Sequence, residues 1–203
     1  TIEEYQDIFG MIQNQTERLS HLSEVLLDMT GIQSVERSDF ISLAELTDEV
    51  CCDLASIADQ KKVELIQEEG DCTVTGSYLL LYRAVYNLVE NSIKYNHSGG
   101  KVTVKISQKK DLPAAHSKPT DYALVEVTDT GIGISPEFQE KIFDPFFRVD
   151  KSRSRAMGGA GLGLALVAEI ARQHGGQVKV LASSKKGSTI ALMLPINSPL
   201  IEI

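Results

Sequence analysis

The sequence predicts an α+β sandwich preceded by one long coiled-coil-like helix. Three observations carry that prediction. A heptad repeat runs through residues 2–30. Beyond it, apolar periodicity switches several times between helical and strand spacing, without the regular strand–helix–strand rhythm of a doubly wound sheet. Apolar residues make up 42% of the 203 positions, enough for a core of ordinary size.

Stepping by three and four from Tyr5 gives Ile8, Ile12, Gln15, Leu19, Leu22, Leu26 and Met29, so seven of eight positions are apolar. That is the seam of a coiled coil or bundle, and Phe9 and Val25 widen it toward four-helix packing. A single amphipathic helix lying on the globular part is the other reading. Gly31 suits a C-cap. The pattern starts in mid-helix, as in a piece cut from a longer protein. Ser42 and Glu45 form a Ser-x-x-Glu capping box for a helix through about Gln60, with Leu43, Leu46, Val50, Leu54 and Ile57 on its inner face. Residues 63–67 and 72–75 read as strands. Ser77 caps a long helix ending near Tyr95. Residues 101–107 alternate as a strand, 108–121 read as a surface loop, and 122–128 form another strand. After a turn at 129–134, Ser135 caps a short helix. Residues 144–160 lack any period and are rich in Gly, Arg, Lys and Ser, which predicts a mobile loop. A helix over 161–174 and strands at 176–182 and 188–194 complete the chain.

The net charge is −8 and the pI about 5.0, with no long basic run, which argues against nucleic-acid binding. An acidic domain that takes an anionic ligand must do so with local donors. Three cysteines, Cys51, Cys52 and Cys72, two of them adjacent within a helix, make no disulfide framework and fit a reducing compartment. The scattered histidines and the lack of a Cys-x-x-Cys argue against structural zinc. No run approaches the length of a membrane span, and the opening Thr-Ile-Glu-Glu is not a signal peptide.

Four motifs bear chemistry. Asn87, Glu90, Asn91 and Lys94 fall at i, i+3, i+4 and i+7, hence on one helix face. Two amides, a carboxylate and an ammonium suit Mg2+ and phosphate, since Mg2+ prefers hard oxygen ligands. The same face also suits plain solvation. Asp129-Thr-Gly-Ile-Gly-Ile follows a strand; its glycines allow close backbone approach, and its carboxylate can accept from an exocyclic amine. Pro136 stands where a dinucleotide fingerprint needs a third small residue. Gly158-Gly-Ala-Gly-Leu-Gly-Leu enters a helix, whose free N–H groups make an anion site; a hinge without ligand is the alternative. It is not a P-loop. Phe143-Asp-Pro-Phe-Phe-Arg148 sets one arginine in an aromatic cluster, which fits either a lid over phosphate or a satellite core.

In order and spacing, the run from Asn87 through Tyr95, then Asp129-Thr-Gly-Ile-Gly, Phe143 to Arg148, Gly159-Ala-Gly-Leu-Gly and Gly187-Ser-Thr closely resembles the catalytic domain of sensor histidine kinases. These share the Bergerat fold with gyrase, Hsp90 and MutL. The resemblance covers residues 40–197 and implies a two-layer sandwich, a mixed sheet packed on helices, that binds ATP and Mg2+. It implies that Asn91 ligates Mg2+ with Asn87 beside it, Lys94 contacts phosphate, and Tyr95 packs on adenine. Asp129 accepts from the adenine amine in a pocket shaped by Gly131 and Gly133. Arg148 reaches the phosphates from a lid at 144–160 that Phe143 opens. Gly159, Gly161, Leu162 and Gly163 cradle the triphosphate, and Thr189 lies near the adenine. Glu90 sits next to the metal ligand. Ser77 stands where the family commonly has Asp.

Residues 1–31 resemble the second helix of the dimerisation and phosphotransfer domain. The phosphoacceptor of that domain is a His followed by Glu or Asp, and His21, His97, His116 and His174 are followed by Leu, Ser, Ser and Gly. The resemblance therefore implies a kinase that phosphorylates a histidine outside this chain, for relay to a response regulator aspartate. It implies a homodimeric parent joined through the N-terminal helix, and a cytoplasmic domain whose parent is anchored in the plasma membrane by segments outside this chain. A serine kinase or clamp-type ATPase of the same superfamily, and a degenerate nucleotide-holding module, are the other readings. The Phe-x-Pro-Phe-x-Arg cluster and the heptad helix favour the histidine kinase.

Overall fold

The computed structural model describes Phe9 and residues 35–110, 121–149 and 161–196. The predicted heptad helix, except for an exposed, helical Phe9, therefore lies outside the described residues. So do the 111–120 part of the predicted surface loop and residues 150–160 of the predicted lid.

The first described element, β1 (Asp39–Ser42), leads directly into α1 (Leu43–Lys61). Ser42 caps α1 as expected, its side chain accepting from Glu45 N. Asp71 completes the cap, its Oδ1 accepting from Ser42 Oγ and from the Ala44 N–H. Leu43, Leu46, Val50 and Leu54 are fully buried. Ile57 is not the next core residue: it is 36% exposed, while Ala58 is 2% exposed. Steps of four from Leu46 land on Ala58, and the chain turns back tightly there, with Val63 N donating to Ala58 O at 2.9 Å.

Two short strands follow, β2 (Glu64–Gln67) and β3 (Thr73–Gly76), then α2 (Tyr78–Lys94). β1 pairs antiparallel with β3 in a small separate sheet. Strands β4 (Lys101–Lys110) and β5 (Asp121–Asp129) extend further into the predicted loop than their alternation indicated. Two 3-10 turns, Pro136–Phe138 and Lys141–Phe143, replace the predicted short helix, and Ser135 makes no side-chain cap bond. Helix α3 (Gly163–Gln173) and the hairpin β6 (Gln177–Ser184) and β7 (Gly187–Pro195) finish the fold.

The main sheet has the order β2-β4-β5-β7-β6. β2 and β4 are parallel and the other pairs antiparallel, so the sheet is mixed as expected. Strand alternation sends Val102, Val104, Ile106, Ala123, Val125, Val127, Leu192 and Leu194 into one core with the apolar faces of all three helices. The opposite face is not wholly polar: Leu124, Ala191 and Met193 form a second buried cluster there, beside Tyr122. Among the described residues no helix is long and apolar enough to cross a membrane.

Candidate functional site

One cavity of about 400 Å3 lies between the C-terminal half of α2, the loop after β5, the 3-10 turns and the start of α3. Asn87, Glu90, Asn91 and Lys94 all line it, because a step of three or four keeps them on the face that α2 turns away from the core. The opposite face of the helix, Leu81, Ala84, Val85 and Leu88, is buried. The two amides are oriented by the helix itself. Asn87 Nδ2 donates to Arg83 O and Asn91 Nδ2 to Asn87 O, each at 2.8 Å. With their N–H groups turned back to carbonyls four residues earlier, they present Oδ1 outward.

At one end the cavity is cationic and rich in free donors. Gly161 has φ +75°, and a Cβ there would stand 2.8 Å from Phe147 O, so the turn into α3 accepts only glycine. The turn is held by Phe146 N donating to Gly161 O at 2.9 Å. Gly163 packs so closely on α2 that a Cβ would lie 2.6 Å from Asn87 Oδ1. Leu162 is 1% exposed and places the first N–H groups of α3 at the cavity. Arg148 projects from the segment after the aromatic cluster, and its Nε and Nη2 are buried with no hydrogen-bond partner among the described residues. Burial lowers the pKa of Lys94; Glu90 opposes the shift, and Lys61 and Arg148 add to it. Two half-buried cations facing one cavity, with orphaned N–H groups, are an arrangement that an anion stabilises.

The other end is built around Asp129. Its Oδ1 accepts from Gly131 N at 2.7 Å and from Ser188 N at 3.3 Å. No hydrogen bond reaches Oδ2 among the described residues, so that oxygen remains an acceptor for a ligand. Burial raises the Asp129 pKa, against the lowering effect of the two N–H bonds. Gly133 has φ +72°, and a Cβ would stand 1.8 Å from Ser184 O. Ser183 Oγ accepts from Ile134 N at 2.7 Å and lies 3.1 Å from Ser188 Oγ. These bonds pin the glycine loop to the β6–β7 hairpin. Tyr95, Ile132, Ile134 and Ile190 supply apolar walls.

Twelve of the predicted site residues line this cavity or shape it from behind. Gly131 does the latter, with a Cβ position only 2.6 Å from Tyr95 O. Two predicted residues stand elsewhere. Phe143 packs against the core, and its neighbours Ile142 and Phe147 line the cavity instead. Thr189 pairs with Thr128 on the other face of the sheet, with their Oγ1 atoms 3.0 Å apart. Strand alternation points Ser188 and Ile190 inward in its place. Ser188 was readable as the first polar residue after the Gly187 turn. Gly159 lies outside the described residues. Among those residues no group of three or more His, Cys, Asp or Glu could hold a metal ion. The oxygens on offer to one are the Asn87 and Asn91 amides, which suit a hard cation.

Comparison with known proteins agrees with this geometry. Residues 76–198 match the family of histidine kinase-, DNA gyrase B- and HSP90-like ATPases. The sensor histidine kinase RppB of Synechocystis is 32% identical over 92% of this chain and 40% of its own length. The sensor-like histidine kinase SenX3 of Mycobacterium tuberculosis is 34% identical over 89% of this chain and 43% of its own. The chain thus spans less than half the length of these curated relatives. The solved structure of the mycobacterial sensor histidine kinase MprB superposes with a TM-score of 0.61 at 27% identity, over 78% of this chain and 97% of that one. With the α2 amides, the Asp129 loop and the glycine turn into α3 gathered on one cavity, this chain belongs to the histidine kinase-, DNA gyrase B- and HSP90-like ATPase family.

Proposed function

We propose that the chain is the ATP-binding catalytic part of a sensor histidine kinase, and that it passes the γ-phosphate of ATP to a histidine outside itself. The observation that carries this reading is Arg148, whose Nε and Nη2 are buried with no partner among the described residues, set beside Lys94 and the Gly161–Gly163 turn at one end of a cavity whose other end offers the Asp129 acceptor. Adenine binds between Tyr95 and the glycine loop, its amine on Asp129 Oδ2. The triphosphate lies along α2 toward Lys94, Arg148 and the α3 N-terminus. Asn91, with Asn87 beside it, would hold Mg2+, which would neutralise negative charge on the phosphates. Phosphoryl transfer asks a protein mainly for such positioning and neutralisation. Glu90 tempers the local positive charge beside Lys94. Residues 144–160 act as a lid that brings Arg148 onto the phosphates.

The described histidines support an acceptor elsewhere. His174 has both ring nitrogens engaged, with Ser77 N and with Ile170 O, and His97 is exposed and followed by Ser. His21 and His116 lie outside the described residues. We further propose a homodimeric parent joined through residues 1–31, a plasma-membrane anchor beyond this chain, a cytoplasmic catalytic part, and a response regulator receiver domain as downstream partner.

Radiolabelled ATP tests the reading. The chain alone should stay free of acid-labile label and should label a separately supplied dimerisation and phosphotransfer domain. Label on the chain alone, or none on the added domain, overturns it.

Asp129→Ala should weaken ATP binding by roughly tenfold or more, the loss of about 1–3 kcal/mol expected when buried donors lose their acceptor. Calorimetry checks this, and GTP should bind far more weakly than ATP to the native chain. Because burial raises the Asp129 pKa, ATP affinity should decline on acidification earlier than an ordinary aspartate would dictate. A folded-state pKa above the unfolded one means that this protonation favours the fold as pH falls through it, so the lost affinity is not unfolding.

A further inference from the structure

Helix α2 begins without a side-chain cap of its own, since Ser77 makes no such bond. Two residues from elsewhere take its first N–H groups. Asp39 Oδ2, on β1, accepts from Tyr78 N at 3.3 Å. His174 Nε2, at the C-terminal end of α3, accepts from Ser77 N at 3.1 Å. With Nε2 accepting, the ring proton sits on Nδ1, which donates to Ile170 O at 2.8 Å. The imidazole is thus a neutral two-ended link from a carbonyl near the end of α3 to the first N–H of α2. It has little slack: Ser77 is 3% exposed, and a Cβ on Gly76 would stand 2.7 Å from His174 Cδ2. Burial also lowers the His174 pKa, against the Ile170 bond, which keeps the acceptor lone pair available.

α2 and α3 meet again at the cavity, where the Cβ position of Gly163 lies 2.6 Å from Asn87 Oδ1. Between the two meeting points α3 advances from Gly163 to His174 and α2 from Ser77 to Asn87. At about 1.5 Å per residue these runs are roughly 16 and 15 Å long. The helices therefore lie antiparallel with matched spans, tied at both ends. The far tie is polar and directional, and it adds a fixed point to the apolar core that Leu81, Val85, Leu166 and Ile170 share.

We infer that His174 is a positioning residue of the nucleotide site: its imidazole, tied to Ser77 and to Ile170, sets the register of α2 against α3 and so the placement of the Asn87 and Asn91 amides opposite the Gly161–Gly163 turn. The inference rests on the nucleotide reading of the cavity. A residue that only stabilised the fold would have no such reach, and Asp39 supplies the comparison, because it caps the same helix end from β1 and not from α3.

The test measures affinity for a non-hydrolysable ATP analogue with Mg2+, alongside thermal melting, in the chain as it exists and in folded variants. His174→Phe keeps a ring and removes the acceptor, and should weaken binding about tenfold, the scale of one buried N–H left unpaired. His174→Gln restores an acceptor and should bind within about twofold of wild type. Asp39→Ala should melt earlier yet bind as wild type. Wild-type affinity in His174→Phe, or an equal loss in Asp39→Ala, overturns the positioning role while leaving the nucleotide reading intact. No binding by the wild-type chain overturns both. Should His174→Phe fail to fold, His174→Asn takes its place: its shorter amide should bind on the order of tenfold more weakly than His174→Gln, and equal affinities overturn the inference.

Discussion

Arg148→Met should melt at a higher temperature than the native chain when both are empty, and in the same variant phosphoryl transfer should fall on the order of a hundredfold or more. The two effects have one cause. Arg148 holds Nε and Nη2 away from solvent without partners among the described residues, and its charge adds to the lowering of the Lys94 pKa. An unpaired buried charge costs stability, and an apolar side chain of similar volume removes the cost, by about 1–2 kcal/mol here because the residue is only half-buried. For a domain of this size that is a rise of roughly 2–8 °C. On the proposed reading the balance reverses with nucleotide bound, because phosphate oxygens would then face the guanidinium. Scanning calorimetry with and without the ATP analogue should show the gain in the empty variant and a much smaller ligand-induced rise than in the native chain. A lower melting temperature for the empty variant would mean that Arg148 is a structural residue.

Gly133→Ala is expected to be the most damaging single methyl group at the base end of the cavity. Its φ of +72° strains any L side chain, and the new Cβ would stand 1.8 Å from Ser184 O. That carbonyl belongs to backbone held in the hairpin, where Ser184 pairs with Gly187, so it cannot swing aside as a flexible side chain could. Either the glycine loop leaves the hairpin or the hairpin opens. Both release Ile134 N from Ser183 Oγ and Ser188 N from Asp129. The expected loss is about 3 kcal/mol or more of stability, or an equivalent loss of nucleotide affinity if the loop moves instead. Gly99→Ala separates the two contributions. Gly99 has φ +80° but nothing within 4 Å of its Cβ position, so that variant should lose only about 1 kcal/mol and bind normally. Urea unfolding and calorimetric titration of both variants decide the matter, and similar behaviour of the pair would show that close approach at Gly133 is unimportant.

What could be read before the structure was whatever depends on spacing along one element. The α2 face was legible because helical steps of three and four need no tertiary information. The α1 cap was legible because Ser42 and Glu45 lie within one turn of each other, although the part played by Asp71, distant in sequence, was not. Strand β1 escaped notice because four residues with an exposed Phe40 carry no alternation, and only the distant partner β3 makes them a strand. The resemblance points to Thr189, whereas Ser188 faces the cavity; strand parity cannot be read from a glycine turn alone, and the pairing of Asp129 with Ser188 sets it. The resemblance puts Arg148 at the phosphates, but the burial of its Nε and Nη2 without partners among the described residues is a property of the folded surroundings. The cap of α2 by His174 joins residues 97 positions apart, and no local pattern announces it.

Among the described strands β7 has the longest continuous run of apolar side chains buried toward both faces, Leu192 and Leu194 to one side and Ala191 and Met193 to the other, while β5 and β6 pair with its two edges. Amide protons there should exchange only when the whole molecule opens, which hydrogen exchange checks. The base end of the cavity hangs from this strand through Ser188, so its geometry persists through most partial openings. The end proposed for the phosphates instead rests on a 3-10 turn and a glycine turn, which lie outside the sheet's hydrogen-bond ladder and should open at lower cost. A nucleotide seated across both would join the least and the most protected regions into one cooperative unit, and its two ends would report on different depths of the same free-energy ladder.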